Sequence, residues 1–250
     1  EPRFLLTTRS TGWDSARMAV ARQRRKPGTR DAALARDAIL DAAVREFAAR
    51  GLAGARMDAL ARDAGVAKGL VFHHFGSKEE LWKAALERIY ALLRAGQDAD
   101  ALGTLDPAEG MRRLARGTFR LFRAHPEIVA LMNEENLHRA RHVRAMPRIR
   151  ALYNPLFATI EDLLARGRAA GVFRADVDAT ALYIALAGLG YFYCANRWTL
   201  SSAFAGDMLA PRRVAAYEAL VGDMVVAYLR APGAAAPARR SALPARRRRE

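Results

Sequence analysis

A chain of 250 residues with 52% hydrophobic side chains is long enough to bury a sizeable core. No run of about 20 apolar residues offers a bilayer span, and the single Cys194 leaves no intrachain disulfide, which suits a reducing cytoplasm. The net charge of +15 invites a nucleic-acid partner, yet residues 1–30 hold +6 of it and residues 231–250 hold +5, while residues 31–80 carry seven bases against eight acids. Bulk attraction therefore cannot be the basis of any binding centred on residues 31–80.

In chain order, residues 1–30 form a basic arm expected to be disordered. It lacks the basic-then-apolar order of a signal peptide, and Met18 is an alternative start within it. Leu40, Ala43, Val44 and Phe47 make an apolar stripe at i, i+3, i+4 and i+7, which predicts a helix over about 33–50 that stops at Gly51. Short helices are expected at 57–64 and 67–75, then a longer one over 78–95 that buries Leu81, Ala85, Leu86, Ile89 and Leu92. Residues 96–106 read as a polar loop closed by Asp106-Pro107, with Pro107 at the first position of a helix over 107–124. Further helices are predicted over 126–141, over 147–170 with a kink at Pro155 and a cap at Gly171, over 179–196 and over 211–229. There is no strand ladder and no internal repeat. The Ala/Pro/Arg tail, 231–250, is low in complexity and expected to be disordered.

Residues 61–81 carry the most chemistry. Ala61 is small enough for a helix crossing, Gly65 tolerates positive φ four residues later, and Val71 is placed to pin a second helix, the spacing of a helix-turn-helix. With Leu60, Ala64 and Val66 completing the apolar seam, Lys68, Gly69, Leu70, Phe72 and His73 are left to project from the second helix, whose start enters the major groove in such motifs. Gly76 stops that helix, and Ser77 with Glu80 gives a capping box for the next, where free N–H groups and Lys78 make a phosphate site. A plain helical hairpin is the structural alternative.

The runs Ile39 to Gly51, Met57 to Ala61, Gly65 to Gly69 and Phe72 to Leu81 together resemble the amino-terminal domain of the TetR family of bacterial transcriptional regulators. The resemblance covers about residues 33–93. It implies an all-α fold: a three-helix DNA-binding domain over 33–93 with its motif near 56–75, then a helical ligand-binding and dimerisation domain over 94–230. It places Ala67, Lys68, Gly69 and Leu70 at the start of the recognition helix, and Phe72, His73, His74 and Lys78 where family members touch phosphates. Three positions depart from the family habit: Ala55 where a Thr or Ser often caps the first helix of the motif, Leu70 where Thr is frequent, and Phe72 where a Tyr hydroxyl often donates. Phe72 therefore packs or makes apolar contact only, and Leu70 is suited to a thymine methyl. Arg56 is either a phosphate or base contact or a solvated Arg at a helix start.

The resemblance also implies a homodimer formed by the last two helices, a palindromic operator in double-stranded DNA, and a small-molecule effector that releases a repressor. His125-Pro126-Glu127-Ile128-Val129 and Asn133-Glu134-Glu135-Asn136 resemble relatives that control catabolic operons, which points to an aromatic or nitrogenous metabolite. Side chains suited to an effector pocket are Phe119, Phe122, Met132, Asn133, Asn136, Tyr153, Phe157, Tyr183, Tyr191 and Trp198, each with plain core packing as its alternative. His138 and His142, with Glu134 a turn before, would share a face of a helix, but crowding by Arg139, Arg141 and Arg144 favours a solvated, ion-paired helix over a metal site. No cofactor is called for, and Cys194 is read as packing.

Two other classes compete. An Arg-rich nucleic-acid binder without sequence preference would use the basic ends. An all-α enzyme finds no support in a G-x-S-x-G, H-E-x-x-H, P-loop or G-x-G-x-x-G pattern. The expected setting is the bacterial cytoplasm, in association with the nucleoid.

Overall fold

A computed structural model describes residues 27–95 and 99–231. They form twelve α-helices: α1 Pro27–Gly54, α2 Met57–Asp63, α3 Lys68–Phe75, α4 Lys78–Ala95, α5 Ala99–Gly103, α6 Pro107–Ala124, α7 Pro126–Leu137, α8 Pro147–Ala151, α9 Asn154–Ala169, α10 Ala179–Ala195, α11 Arg197–Ala203 and α12 Pro211–Leu229. Among the described residues the extended structure is confined to an isolated antiparallel bridge between Phe173 and Arg230.

Helices α4, α6 and α10 start where a side chain satisfies orphan N–H groups. Asp106 accepts from the Ala108 and Glu109 N–H groups at 2.9 and 3.2 Å, Asp178 from Ala181 at 2.7 Å, and Ser77 from Glu80 at 3.1 Å. Only half of the expected capping box at Ser77 forms, because the Glu80 carboxylate turns to Lys83 at 2.7 Å.

Two apolar cores result. One joins Ile39, Leu40, Val44 and Phe47 of α1 to Leu60, Val71, Phe75, Leu81, Trp82 and Leu86, and continues into Phe119 of α6, Ile128 and Leu131 of α7 and Tyr193 of α10. The other gathers α5, α6, α9, α10 and α12 around Met111, Ile160, Leu163, Leu186 and Val221. The division between cores thus does not fall at residue 93: α6 and α7 share the core of α1 to α4. Each fully buried Leu, Ile or Phe contributes on the order of 1.5–3 kcal/mol. Trp82 packs edge-on to Phe47 at 5.0 Å and locks α4 to α1.

Several boundaries differ from expectation. Helix α1 begins at Pro27, so residues 27–30 of the expected arm are helical; residues 1–26 and 232–250 lie outside the described residues. Gly51 ends the regular helix as expected, with φ 66°, before one further turn. The N-cap of α2 is Arg56, while Ala55 is buried. Leu93 rather than Leu92 is the fully buried residue near the end of α4. The expected loop over 96–106 contains α5, and α11 was not anticipated. The helix predicted over 147–170 is broken in two, because Pro155 has no N–H and its ring clashes with the carbonyl four residues back; α8 ends there, at Ala151. Helix α7 stops at Leu137, four residues early, in a turn that places Arg139 and Ala140 at φ 56° and 54°. Neither residue is Gly or Asn, so the turn has no local signature.

Candidate nucleic-acid interface

The turn between α2 and α3 follows from Gly65. Its φ is 68°, and it ends α2 with paired bonds: Gly65 N–H donates to the Arg62 carbonyl at 3.1 Å and Val66 N–H to the Ala61 carbonyl at 3.0 Å. That sends α3 back across α2, with Ala61, Val71 and Phe75 buried in the seam. What remains on α3 faces solvent. Ala67, Lys68, Gly69 and His73 are exposed, Phe72 is 39% exposed, and Leu70 and His74 are half-buried. The His73 and His74 rings meet edge-on at 5.6 Å. At the end of α3, Gly76 takes φ 74° and donates to the Phe72 carbonyl at 2.8 Å, after which α4 departs.

The two lysines on this face already have partners. Lys68 Nζ lies 2.9 Å from an Asp58 carboxylate oxygen, and its hydrogen bond and charge hold the Asp58 carboxyl below its usual value. Lys78 Nζ donates to the Ala53 carbonyl at 3.0 Å, closing the end of α1 onto the start of α4. An ammonium has three donors, so this bond leaves others for a phosphate. Arg56 is exposed, and its backbone N–H is fixed by Glu46 at 2.9 Å.

Beneath the motif lies a polar junction that sequence reasoning missed. His142 is 4% exposed, not solvated, and does not share a helical face with Glu134 and His138, because the turn at Arg139 and Ala140 intervenes. Its Nδ1 is 2.5 Å from Glu135 Oε1 and its Nε2 is 3.1 Å from Glu79 Oε1. Trp82 Nε1 donates to Glu135 at 2.9 Å, and the His142 and Val143 N–H groups reach the second oxygen of Glu135 at 3.3 Å. Burial alone would raise the Glu135 carboxyl; hydrogen bonds from His142, Trp82 and Val143 outweigh it and hold the group below the ordinary glutamate value. Glu134 reaches the Leu52 N–H at 3.3 Å. This junction ties α7 to α1 and α4, with partners 53 to 82 residues apart in the chain.

The expected pocket residues divide into separate groups. Tyr153, Phe157 and Tyr183 come together with ring separations of 5.5–6.5 Å, and Arg94 lies over Tyr153 at 4.3 Å while donating to the Tyr183 hydroxyl at 3.0 Å. Burial pushes the Tyr153 hydroxyl well above its usual range. Phe119 and Phe122 are buried core; Phe122 packs on Tyr191, whose hydroxyl donates to Asn133. Met132 is half-buried against the same core, and Asn136 is exposed, donating to the Met132 carbonyl at 2.9 Å. Trp198 stands apart, 72% exposed on α11 beside Arg197. Cys194 is buried, and burial pushes its thiol up to about 11, which leaves it an unreactive packing residue.

Compared with known proteins, residues 39–85 match the family described as bacterial regulatory proteins, tetR family, and residues 107–225 match the tetracyclin repressor-like C-terminal domain. The HTH-type transcriptional repressor NicS of Pseudomonas putida is 34% identical over 210 residues, which is 83% of this chain and 99% of that protein. The chain belongs to the TetR family. It is a DNA-binding transcriptional regulator of the repressor type, and the α2–α3 pair is the helix-turn-helix of this TetR protein. The HTH-type transcriptional regulator BetI of Rhizobium meliloti is 37% identical over 95 residues, or 38% of this chain and 47% of the relative. Among solved structures, SCO4942 from Streptomyces coelicolor superposes with a TM-score of 0.58 at 26% identity, covering 76% of this chain and 97% of that one. The ketosteroid transcriptional regulator KstR2 of Mycobacterium tuberculosis shares the fold, with a TM-score of 0.57 at 23% identity over 79% of this chain and 95% of that one. These relatives are transcriptional regulators, and among the described residues no helix is long and apolar enough to cross a membrane.

Proposed function

We propose that this TetR protein is a homodimeric repressor, without enzymatic activity, that binds a palindromic operator through α3 of each subunit and leaves it when a small-molecule effector binds the C-terminal helices. The observation that carries the DNA contact is the presentation of α3: Val71 and Phe75 are buried beneath it while Lys68, Gly69, Phe72 and His73 face outward. Arg56, Ala67, Leu70, His74 and Lys78 border that surface, with Lys78 and the histidines assigned to phosphates and Lys68 and Leu70 to bases. The cytoplasm, at the nucleoid, is the setting that follows.

Dimerisation is supported by a groove of about 470 Å³ between α10 and α12, whose walls include Ile184, Phe192, Met224 and Tyr228. These large apolar side chains are about half exposed or more, which marks an association face. Two such subunits related by a two-fold axis present two copies of α3, hence a two-fold symmetric site.

Selecting bound fragments from random-sequence duplex DNA tests the reading. A palindromic consensus is expected, and a protein lacking residues 1–30 and 231–250 should keep that preference. Recovery of unrelated sequences, with loss of nearly all affinity on removing both ends, would instead favour an Arg-rich binder without sequence preference. Sedimentation of Met224→Glu and Tyr228→Glu variants as monomers would support the α10–α12 face.

A further inference from the structure

A cavity of about 470 Å³ opens between the C-terminal half of α4 and the segment that leads into α8, within the size range of small-molecule sites. Its apolar wall is made by Tyr90 of α4, by Met146 and Ile149, and by Tyr153. Tyr90 and Ile149 are buried, so this wall is fixed by the core behind it. Val143 and Pro147 also line it, as do Arg144 and Arg150, which are both exposed. Among the described residues neither of these arginines pairs with a carboxylate, whereas Arg148, between them in sequence, faces Glu87 at 3.7 Å. A cavity with an aromatic and aliphatic wall and two uncompensated guanidinium groups in its lining selects one kind of small molecule: an apolar body carrying an acidic head.

We infer that the cavity bounded by Tyr90, Met146, Ile149, Tyr153, Arg144 and Arg150 is the effector site and takes a small organic carboxylate. This rests on the reading of the chain as an effector-responsive repressor and names the chemistry of the effector. Guanidinium groups match a carboxylate with two parallel N–H bonds, and the buried wall takes the hydrocarbon part. A smaller cavity of about 130 Å³ beside Trp82 has a mixed lining of Glu134 and Glu135 with His138, Arg141 and His142, and is below the size range of small-molecule sites. The site also has a route to DNA. Tyr90 stands on α4, which begins three residues after α3 ends, and Ile149 stands on α8, so an occupant bridges the helix leading from the motif to the C-terminal half.

Calorimetric titration of the full chain, without DNA, with phenylacetate, octanoate and their neutral amides tests this. At least one acid should bind about tenfold or more tightly than its amide, and the choice between the two acids reports the shape of the body. The Arg144→Gln/Arg150→Gln double variant should lose that difference and Arg144→Lys/Arg150→Lys, which keeps the charge without the paired N–H bonds, should keep only part of it, with thermal unfolding of each variant confirming that it is folded. Equal affinity for acids and amides, retention of the difference in the Gln variant, or no binding of either acid at millimolar concentration would overturn the assignment. Because no DNA is present, those outcomes are separate from failure of operator binding, which would overturn the repressor reading instead.

Discussion

Helix α3 and the junction at the end of α7 draw on the same core, yet one offers its side chains to solvent and the other encloses Glu135, His142 and the Trp82 indole. On α3 the burial of Val71 and Phe75 is enough to aim Lys68, Gly69, Phe72 and His73 outward. At the end of α7 the buried groups are polar: Glu135, His142 and the Trp82 indole, each satisfied by the others. An exposed surface can change residue by residue at small cost, because water replaces any lost partner. A buried network cannot, because removing one member leaves the rest desolvated and unpaired. The regulator thus keeps its variable chemistry on α3 and its rigid chemistry where the C-terminal half meets α1 and α4.

The largest expected effect tests the rigid side. Glu135→Ala should cost about 3–5 kcal/mol in urea unfolding, since it strips an acceptor from Trp82, His142 and two backbone N–H groups. A loss below about 1 kcal/mol would mean that the junction is no more critical than a surface pair. The same carboxyl gives a pH dependence. Its folded pKa lies below the unfolded value of about 4.3, so its contribution is complete above that pH and is lost as pH falls through the lower folded value. Glu135→Gln should therefore flatten the acid limb of stability measured between neutral pH and pH 3.

Next come the two left-handed turns. Gly65→Ala should destabilise by about 1–2 kcal/mol through backbone strain alone, since nothing lies within 4 Å of the added Cβ. At the other turn the sign reverses: Ala140→Gly removes strain at φ 54° and should stabilise by about 1 kcal/mol in thermal unfolding. If both changes destabilised equally, the difference drawn between the two turns would collapse.

The smallest effects on stability belong to the exposed cations. Lys78→Ala should change stability by no more than about 0.5 kcal/mol while weakening binding to all DNA sequences alike and lowering the salt slope by about 1. Lys68→Ala should leave stability similarly untouched and alter which sequences are preferred. A mobility-shift series at several salt concentrations separates the two, and normal binding by Lys78→Ala throughout would remove that residue from the phosphate contacts.

What could be read from the sequence follows the same division. Ala61, Gly65, Val71 and Gly76 act through neighbours a few residues away, so spacing alone located the turn and the outward face. The stripe of Leu40, Ala43, Val44 and Phe47 was legible for the same reason, as was the helix start at Asp106-Pro107. The junction was not. Trp82 and Glu135 are 53 residues apart, and the turn between Glu135 and His142 uses Arg139 and Ala140 where glycine is the usual signal. A regular helix drawn through that turn put His142 in solvent. Pocket residues are harder to read: aromatic residues announce burial without saying which cavity they line, so Phe119 and Phe122 are core, while Tyr90 and Arg150 had no signal and Arg144 read only as part of a solvated helix.

The Lys68–Asp58 pair has one more consequence. A lysine that meets DNA usually arrives dressed in mobile salt ions, and their release drives binding. Lys68 arrives carrying a carboxylate fastened to its own domain at 2.9 Å. To turn all three of its donors to a base or phosphate it must trade one anion for another, and the displaced anion stays tethered nearby as a competitor. A random stretch of duplex gains little from that trade, whereas a site that satisfies the rest of α3 can still pull the lysine across. On the proposed DNA contact, Asp58 would set a small threshold against indiscriminate binding, about 0–1 kcal/mol for a pair with both side chains about half exposed.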